Sequence, residues 1–198
     1  MMMAPNCGWF RAVGMLLCGL IITLPSDAGA QDDPTRFDDP KYDFSISIPD
    51  PWKPADPKNF AVPGTLRKAY SGAENASITL FVQLPDQAVD PHWMVDLSAT
   101  SMEKNLKAIV KEKDVKEVAG KQAMWMVVEG AGTGGAIDGQ GATPTTQQWV
   151  AIPREKDIVV LLLTCPAKDF PSNQKTFQKA IDSLKVGGVQ TKQQSESK

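Results

Sequence analysis

The stretch that decides the fold is TTQQWVAIPREKDIVVLLLTC, residues 145 to 165. Two runs rich in β-branched and aromatic residues flank the polar tripeptide REK, which is typical of a hairpin with antiparallel strands. Residues 158 to 163 are apolar at every position, so both faces of the second strand must be covered. The pattern predicts a central antiparallel sheet with packed elements on each side.

The second strand ends at Cys165, which alternates with Leu161 and Leu163 and is expected on their buried face. A reactive thiol needs a nearby imidazolium or other cation and access to solvent. The sequence contains one histidine, His92, and no pattern places it near residue 165. Cys165 is therefore predicted to be a small apolar core residue. A small thiol-dependent enzyme using Cys165 with His92 or a carboxylate remains an alternative that the composition opposes.

Further strands are predicted from alternation over YDFSISI (42–48), LRKAYSG (66–72), ASITLFVQL (76–84) and KEVAGKQAMWMVVEG (116–130). The second and third of these segments are expected to pair across a turn at GAEN. The last forms two strands around a tight turn at 119–121. In the 76–84 strand, one face is expected to carry Ile78, Leu80, Val82 and Leu84, and the other face Phe81.

Two segments have the helical period instead. Asp90 is a good N-cap residue, with Pro91 at the first helical position. The apolar stripe that follows comprises Val95, Ala99, Met102, Leu106, Ile109 and Val110. Ser172 is expected to cap a second helix, with Phe177, Ile181 and Leu184 buried. Together these patterns predict an α+β fold, a three-layer sandwich with a central antiparallel β-sheet of about six strands and a helix on each face.

Two stretches resemble the PsbP-like family, and the resemblance covers about residues 40 to 186. YDFSISIPDPW is similar to that family's first strand, and VVLLLTCPAKDFPSNQKTFQKAIDSLKV to its last strand and closing helix. The family includes extrinsic photosystem II proteins, a nuclear Ran-binding protein and many exported bacterial proteins. The resemblance implies a sheet between helices and a non-enzymatic, accessory or binding role. Its motifs are structural and give no catalytic or metal-binding residues.

The chain divides into four predicted segments. Residues 1–30 form a signal peptide, because the apolar run 12–24 is too short for a membrane helix and Ala28 and Ala30 suit signal peptidase. Residues 31–41 are a flexible leader, 42–186 the PsbP-like domain and 187–198 a disordered polar tail. The protein is therefore expected in the periplasm or outside the cell, without stable membrane insertion after cleavage.

Composition excludes several functions. The formal net charge is −2, so no excess of basic residues exists to bind nucleic acid. Cys7 and Cys18 leave with the signal peptide, and one histidine and one cysteine are too few to build a zinc or copper site. The four aspartates of residues 31–41 lack the alternation of a calcium loop. No cofactor and no metal are expected.

The binding candidates are Trp52, Trp93, Leu97 and two glycines, Gly134 and Gly135, of the Gly-rich loop 130–145. Trp93 and Leu97 fall off the apolar stripe of their helix, so they either contact a partner or lie under the proline-rich loop after Trp52. The predicted function is an exported non-catalytic accessory or binding protein of the cell envelope. The alternative is a carrier of a small apolar molecule, in which methionines 94, 102, 124 and 126 would line a cavity.

Overall fold

The structure is a computed structural model that describes residues 36–130 and 144–187. Its strands are β1 (Arg36–Asp39), β2 (Phe44–Ser47), β3 (Lys53–Pro54), β4 (Thr65–Ser71), β5 (Ser77–Gln83), β6 (Ile109–Val118), β7 (Lys121–Gly130), β8 (Thr145–Pro153), β9 (Ile158–Pro166) and β10 (Lys185–Val186). Its helices are α1 (Pro91–Leu106) and α2 (Phe170–Ser183). Single 3₁₀ turns occupy Pro57–Asn59 and Ala167–Asp169. The α+β class is confirmed.

The main sheet has seven antiparallel strands in the order β3-β4-β5-β9-β8-β7-β6. The hairpin predicted around REK is its centre, with Pro153 opposite Ile158 and Thr146 opposite Cys165. The turn at GAEN and the turn at 119–121 also join neighbouring strands, as expected. The prediction of about six strands was one strand too low, because the two-residue β3 pairs with β4 inside the proline-rich loop.

A second, three-stranded sheet has the order β1-β2-β10. The predicted strand YDFSISI belongs to this sheet and not to the main one. Residues 36–39, expected within a flexible leader, form β1, because Phe37 packs edge-on against Phe44 at 5.9 Å and the buried Asp39 pairs with Arg67 of β4. The ion pair ties the small sheet to the main sheet.

The core consists of two clusters that share the main sheet. The α2-side cluster contains Phe177 and Ile181 of α2 together with Leu161 and Cys165 of β9. The α1-side cluster is defined by these side chains of α1, β5, β7 and β9: Met94, Val95, Ala99, Phe81, Met124, Met126, Val160 and Leu162. Successive residues of β9 alternate between the two clusters, which explains why the strand is apolar throughout.

Helix α1 begins as predicted and ends earlier. The Asp90 carboxylate accepts a hydrogen bond from the Trp93 amide at 3.0 Å. Lys107 adopts a left-handed conformation, with φ of 55°, and closes the helix. Ile109 and Val110, expected on the helical stripe, instead begin β6: the left-handed Lys107 ends the helix before them, and they pair with Glu129 and Val128 of β7.

Helix α2 has its predicted buried line, since Phe177, Ile181 and Leu184 are all at most 5% exposed. The predicted cap was wrong. Asp169 holds the N-cap position without a side-chain cap bond. Ser172 lies inside the first turn, where its hydroxyl donates to the Asp169 carbonyl at 2.8 Å.

The turn between β8 and β9 contains a buried ion pair. The Arg154 guanidinium donates two hydrogen bonds to the Asp157 carboxylate, at 2.6 and 2.7 Å. A third donation reaches the Gly187 carbonyl just beyond β10, at 3.1 Å. Arg154 thereby fixes the end of the described chain to the central hairpin.

Candidate functional site

Large exposed apolar side chains are concentrated on and around α1. Five such residues occur in the described ranges, and all lie between positions 84 and 109: Leu84, Trp93, Leu97, Leu106 and Ile109. Leu84 was expected on the apolar face of its strand, and Leu106 and Ile109 on the apolar stripe of the helix. They are exposed because each lies at or beyond the end of its element, and Pro85 directly after Leu84 is a sequence signal of such an end.

Trp93 and Leu97 form what we call the α1 surface. They lie one helical turn apart, on the same face of α1. Trp93 is 59% exposed and Leu97 is 51% exposed, so the proline-rich loop does not cover them. An open depression of about 290 Å³ adjoins Trp93 and is lined also by Gln87, Ala88 and Val89. The pair is available for contact with another molecule.

Charged groups border the α1 surface. The Asp90 carboxylate caps the first turn of the helix by accepting a hydrogen bond from the Trp93 amide. Asp96, between the two apolar residues in sequence, accepts a hydrogen bond from Lys113 of β6 at 2.9 Å. This hydrogen bond raises the pKa of Lys113 above its ordinary value. His92 is exposed next to Trp93. An apolar centre with a polar rim is the usual composition of a protein contact site.

Trp52 does not belong to this surface. Its side chain is 6% exposed and lies in the α2-side cluster. Its ring packs against Gly72, where an added Cβ would approach within 2.8 Å. The prediction of a binding role for Trp52 is corrected on this ground, because the indole is a core residue. Gly134 and Gly135 lie outside the described residues.

Cys165 has the environment of a structural residue. It is 1% exposed, and burial raises the pKa of its thiol to about 11. Its nearest polar partner is the Thr146 carbonyl, 4.0 Å from Sγ. Cys165 packs in the α2-side cluster, whereas His92 lies on α1, which packs against the other cluster. The structure does not bring the thiol and the imidazole together, and it gives the thiol-enzyme alternative no support.

The methionines that suggested a carrier are part of the core. Met94, Met124 and Met126 pack within the α1-side cluster. The cavity beside Met102 and Leu106 has a volume of about 10 Å³, close to what one water molecule occupies. The part of the core that the structure describes therefore contains no space for a small apolar molecule at these methionines.

The described ranges contain neither a cluster of metal ligands nor a membrane-spanning helix. Within residues 36–130 and 144–187, no three His, Cys, Asp or Glu side chains converge to hold a metal ion. No helix among the described residues is long and apolar enough to cross a bilayer.

Comparison with known proteins identifies the fold. The sequence matches no family model and no curated protein. The solution structure of cyanobacterial PsbP (CyanoP) from Synechocystis sp. PCC 6803 is similar, with a TM-score of 0.53 at 10% identity, over 77% of this chain and 91% of that chain. The chain thus has a PsbP-like fold, as the sequence resemblance implies. At this identity the likeness concerns the fold, which does not define a function.

Two further solved structures are similar at lower scores. LpqN of Mycobacterium tuberculosis, described as involved in cell envelope biogenesis, has a TM-score of 0.49 at 11% identity, over 79% of this chain and 87% of that chain. PA94 of Pseudomonas aeruginosa, a protein of unknown function, has a TM-score of 0.48 at 18% identity, over 70% and 88%.

Proposed function

We propose that the chain is an exported, non-catalytic accessory protein that binds a partner protein through the α1 surface. The observation that carries the proposal is the exposure of Trp93 and Leu97 on a helix whose opposite side is anchored in the core. Tryptophan is among the residues that most often carry the binding energy of protein interfaces.

The fold supports this function through rigidity. In the proposed arrangement the main sheet lies between α1 and α2 as a three-layer sandwich, with each helix on its own cluster. Met94, Val95 and Ala99 hold α1 to the sheet, and the Asp96–Lys113 ion pair links the helix to β6. A contact pair on a fixed helix loses little conformational entropy when it binds.

The cellular location belongs to the same proposal. The predicted signal peptide, residues 1–30, directs the chain to the periplasm or the exterior, and the mature protein begins at Gln31. The predicted domain, 42–186, is extended at its N-terminus by β1 (Arg36–Asp39), and the predicted polar tail follows Gly187, which Arg154 holds. A protein partner is favoured over a small apolar ligand, because the depression beside Trp93 is open to solvent and the cavity at the core methionines, beside Met102 and Leu106, measures about 10 Å³.

The test is site-specific photo-crosslinking in the host cell. A photoreactive amino acid replaces Leu97 on the α1 surface and, in a matched control, Lys179 on the exposed side of α2. We expect a defined crosslinked band from position 97 and none from position 179. Trp93→Ala in the same chain should remove the band. Crosslinks of equal strength at both positions, or none at 97, would contradict the proposal.

A further inference from the structure

The two edges of the main sheet differ sharply. One edge is β3, which has two residues and ends in Pro54, so little backbone is available there for pairing. The other edge is β6, which has ten residues, Ile109–Val118, and contains neither proline nor glycine. Within the described ranges β6 pairs only with β7. The outer edge of a strand this long offers a row of backbone groups with which another strand can pair.

The register of the β6–β7 hairpin fixes which backbone groups point outward. Its two-residue turn has positive φ at both positions, 51° and 73°, and closes with Val118 opposite Lys121. In such a turn the closing pair is hydrogen bonded. The even positions 112 to 118 therefore bond to β7, and positions 113, 115 and 117 point away from it. Consistently, the Val115 amide donates to the Asp114 carboxylate at 2.8 Å and not to β7.

We propose that a second copy of this chain pairs with this edge, antiparallel and centred on Val115. In this register Asp114 lies opposite Lys116 of the second copy, and Lys113 lies opposite Glu117 of the second copy. The two-fold symmetry repeats each pair, and two Val115 side chains meet at the centre. Opposite charges directly across a strand pair are stabilising.

Charge selects this register over its neighbours. Moving the centre by one residue toward the N-terminus places Asp114 opposite Asp114. Moving it by one residue toward the C-terminus places Lys116 opposite Lys116. Like charges directly opposite are destabilising, so the alternating charges of β6 permit this register and oppose indiscriminate edge pairing.

The side-chain faces agree with the pairing. Lys113 lies on the α1 side, where it reaches Asp96, and Lys116 lies over the Trp125 ring at 4.1 Å. Every cross-strand pair in the proposed register joins two odd or two even positions, so its members share a face. The irregularity of β6, between Val110 and Glu112, falls outside the segment where charges pair.

The test measures association of the full chain as its host produces it. Sedimentation velocity over a dilution series should show a monomer–dimer equilibrium that weakens with salt, because the paired charges are exposed. Glu117→Lys places two lysines opposite each other twice and should raise the dissociation constant by at least about tenfold. Adding Lys113→Glu to that variant restores opposite charges and should restore the dimer. Glu155→Lys makes the same charge change in an exposed turn and should have no effect.

A second variant excludes a folding artefact. Val115→Pro removes an amide that points away from β7, so it should abolish the dimer while leaving the circular dichroism spectrum of the monomer intact. A monomer at every concentration would overturn the proposal, since another segment or partner would then have to explain the edge. A dimer that survives Glu117→Lys, or one that Trp93→Ala removes, would place the interface elsewhere and overturn it equally.

Discussion

Helices α1 and α2 are anchored to the core in the same way but carry different residues on their outer sides. Each has three buried residues: Met94, Val95 and Ala99 on α1, and Phe177, Ala180 and Ile181 on α2. The outer side of α2 is polar, with Gln178, Lys179 and Asp182 exposed. The outer side of α1 carries Trp93 and Leu97, both more than half exposed. A helix that is already anchored gains no folding stability from apolar residues left in water.

The core clusters beneath the two helices also differ, in the kind of side chain that fills them. The α2-side cluster contains the aromatic rings of Phe44, Trp52, Tyr70 and Phe177. The α1-side cluster contains Met94, Met124 and Met126, whose flexible thioethers adapt to neighbouring changes. Under the proposed function, the α2 side serves folding alone and the α1 side serves both folding and contact with a partner. Four substitutions or pairs of substitutions can break or sharpen that division.

The largest effect is expected from Phe177→Ala on the α2 side. The ring is fully buried, so its removal leaves a cavity and should lower the free energy of unfolding by about 3–5 kcal/mol. Equilibrium urea unfolding measures the change, with Lys179→Ala on the exposed side of α2 as the control. A loss below about 1 kcal/mol would mean that the α2-side cluster does not dominate the stability of the fold.

The next effect is the pH dependence due to Cys165. Its pKa is raised to about 11 by burial, from an ordinary value of 9.0. Below pH 9 the thiol is protonated in the folded and the unfolded chain. As pH rises toward 11 the unfolded chain ionises first, so stability is lost, by about 3 kcal/mol in total.

Comparison with Cys165→Ala isolates the thiol from other groups such as Tyr70, whose pKa burial also raises. The wild-type free energy of unfolding should fall between pH 9 and pH 11 by more than that of the variant. A thiol reagent at pH 8 should label the folded wild type far more slowly than the urea-unfolded chain. Equal labelling rates would show that the α2-side cluster is open at Cys165.

A smaller effect distinguishes the two helix starts. Asp90→Ala removes the carboxylate that caps α1 and should cost about 1 kcal/mol. Ser172→Ala on α2 should cost only a few tenths, because that hydroxyl bonds the Asp169 carbonyl and caps no amide. Thermal unfolding of both variants tests the contrast. If Ser172→Ala costs as much stability as Asp90→Ala, the hydroxyl must cap a backbone amide, which contradicts the hydrogen bond to the Asp169 carbonyl.

These helix starts also show what sequence could predict. Asp90 followed by Pro91 is a local signal, and the structure confirms it. At the second helix Ser172 was predicted as the N-cap, and the structure places Asp169 there, three residues earlier. Aspartate and serine are about equally good N-cap residues, so side-chain chemistry does not separate the two positions. The predicted end of the first helix was also wrong. Ile109 and Val110 fit the helical period, and only their pairing with β7, a long-range contact, makes them a strand.

The exposure of the candidate site could be predicted in part. The helical period placed Trp93 and Leu97 off the buried stripe, and both side chains are exposed in the structure. Trp52 could not be assigned, since its burial depends on Gly72, distant in sequence from the loop that carries the indole. The REK tripeptide predicted a turn correctly. Its Arg154 could not be recognised as a buried group, because Gly187 and Asp157 become its partners only in the folded chain.

The smallest effect on stability is expected from Trp93→Ala and Leu97→Ala. Because both side chains are mostly in water, each substitution should change the free energy of unfolding by no more than about 0.5 kcal/mol. Val95→Ala, two residues from each and 5% exposed, should cost clearly more and serves as the buried control in the same urea titration. A protein that loses partner crosslinking without losing stability separates contact from folding on a single helix. Substantial destabilisation by Trp93→Ala would instead show that the indole contributes to folding. The comparison of the two helices would then give no reason to assign a contact role to α1.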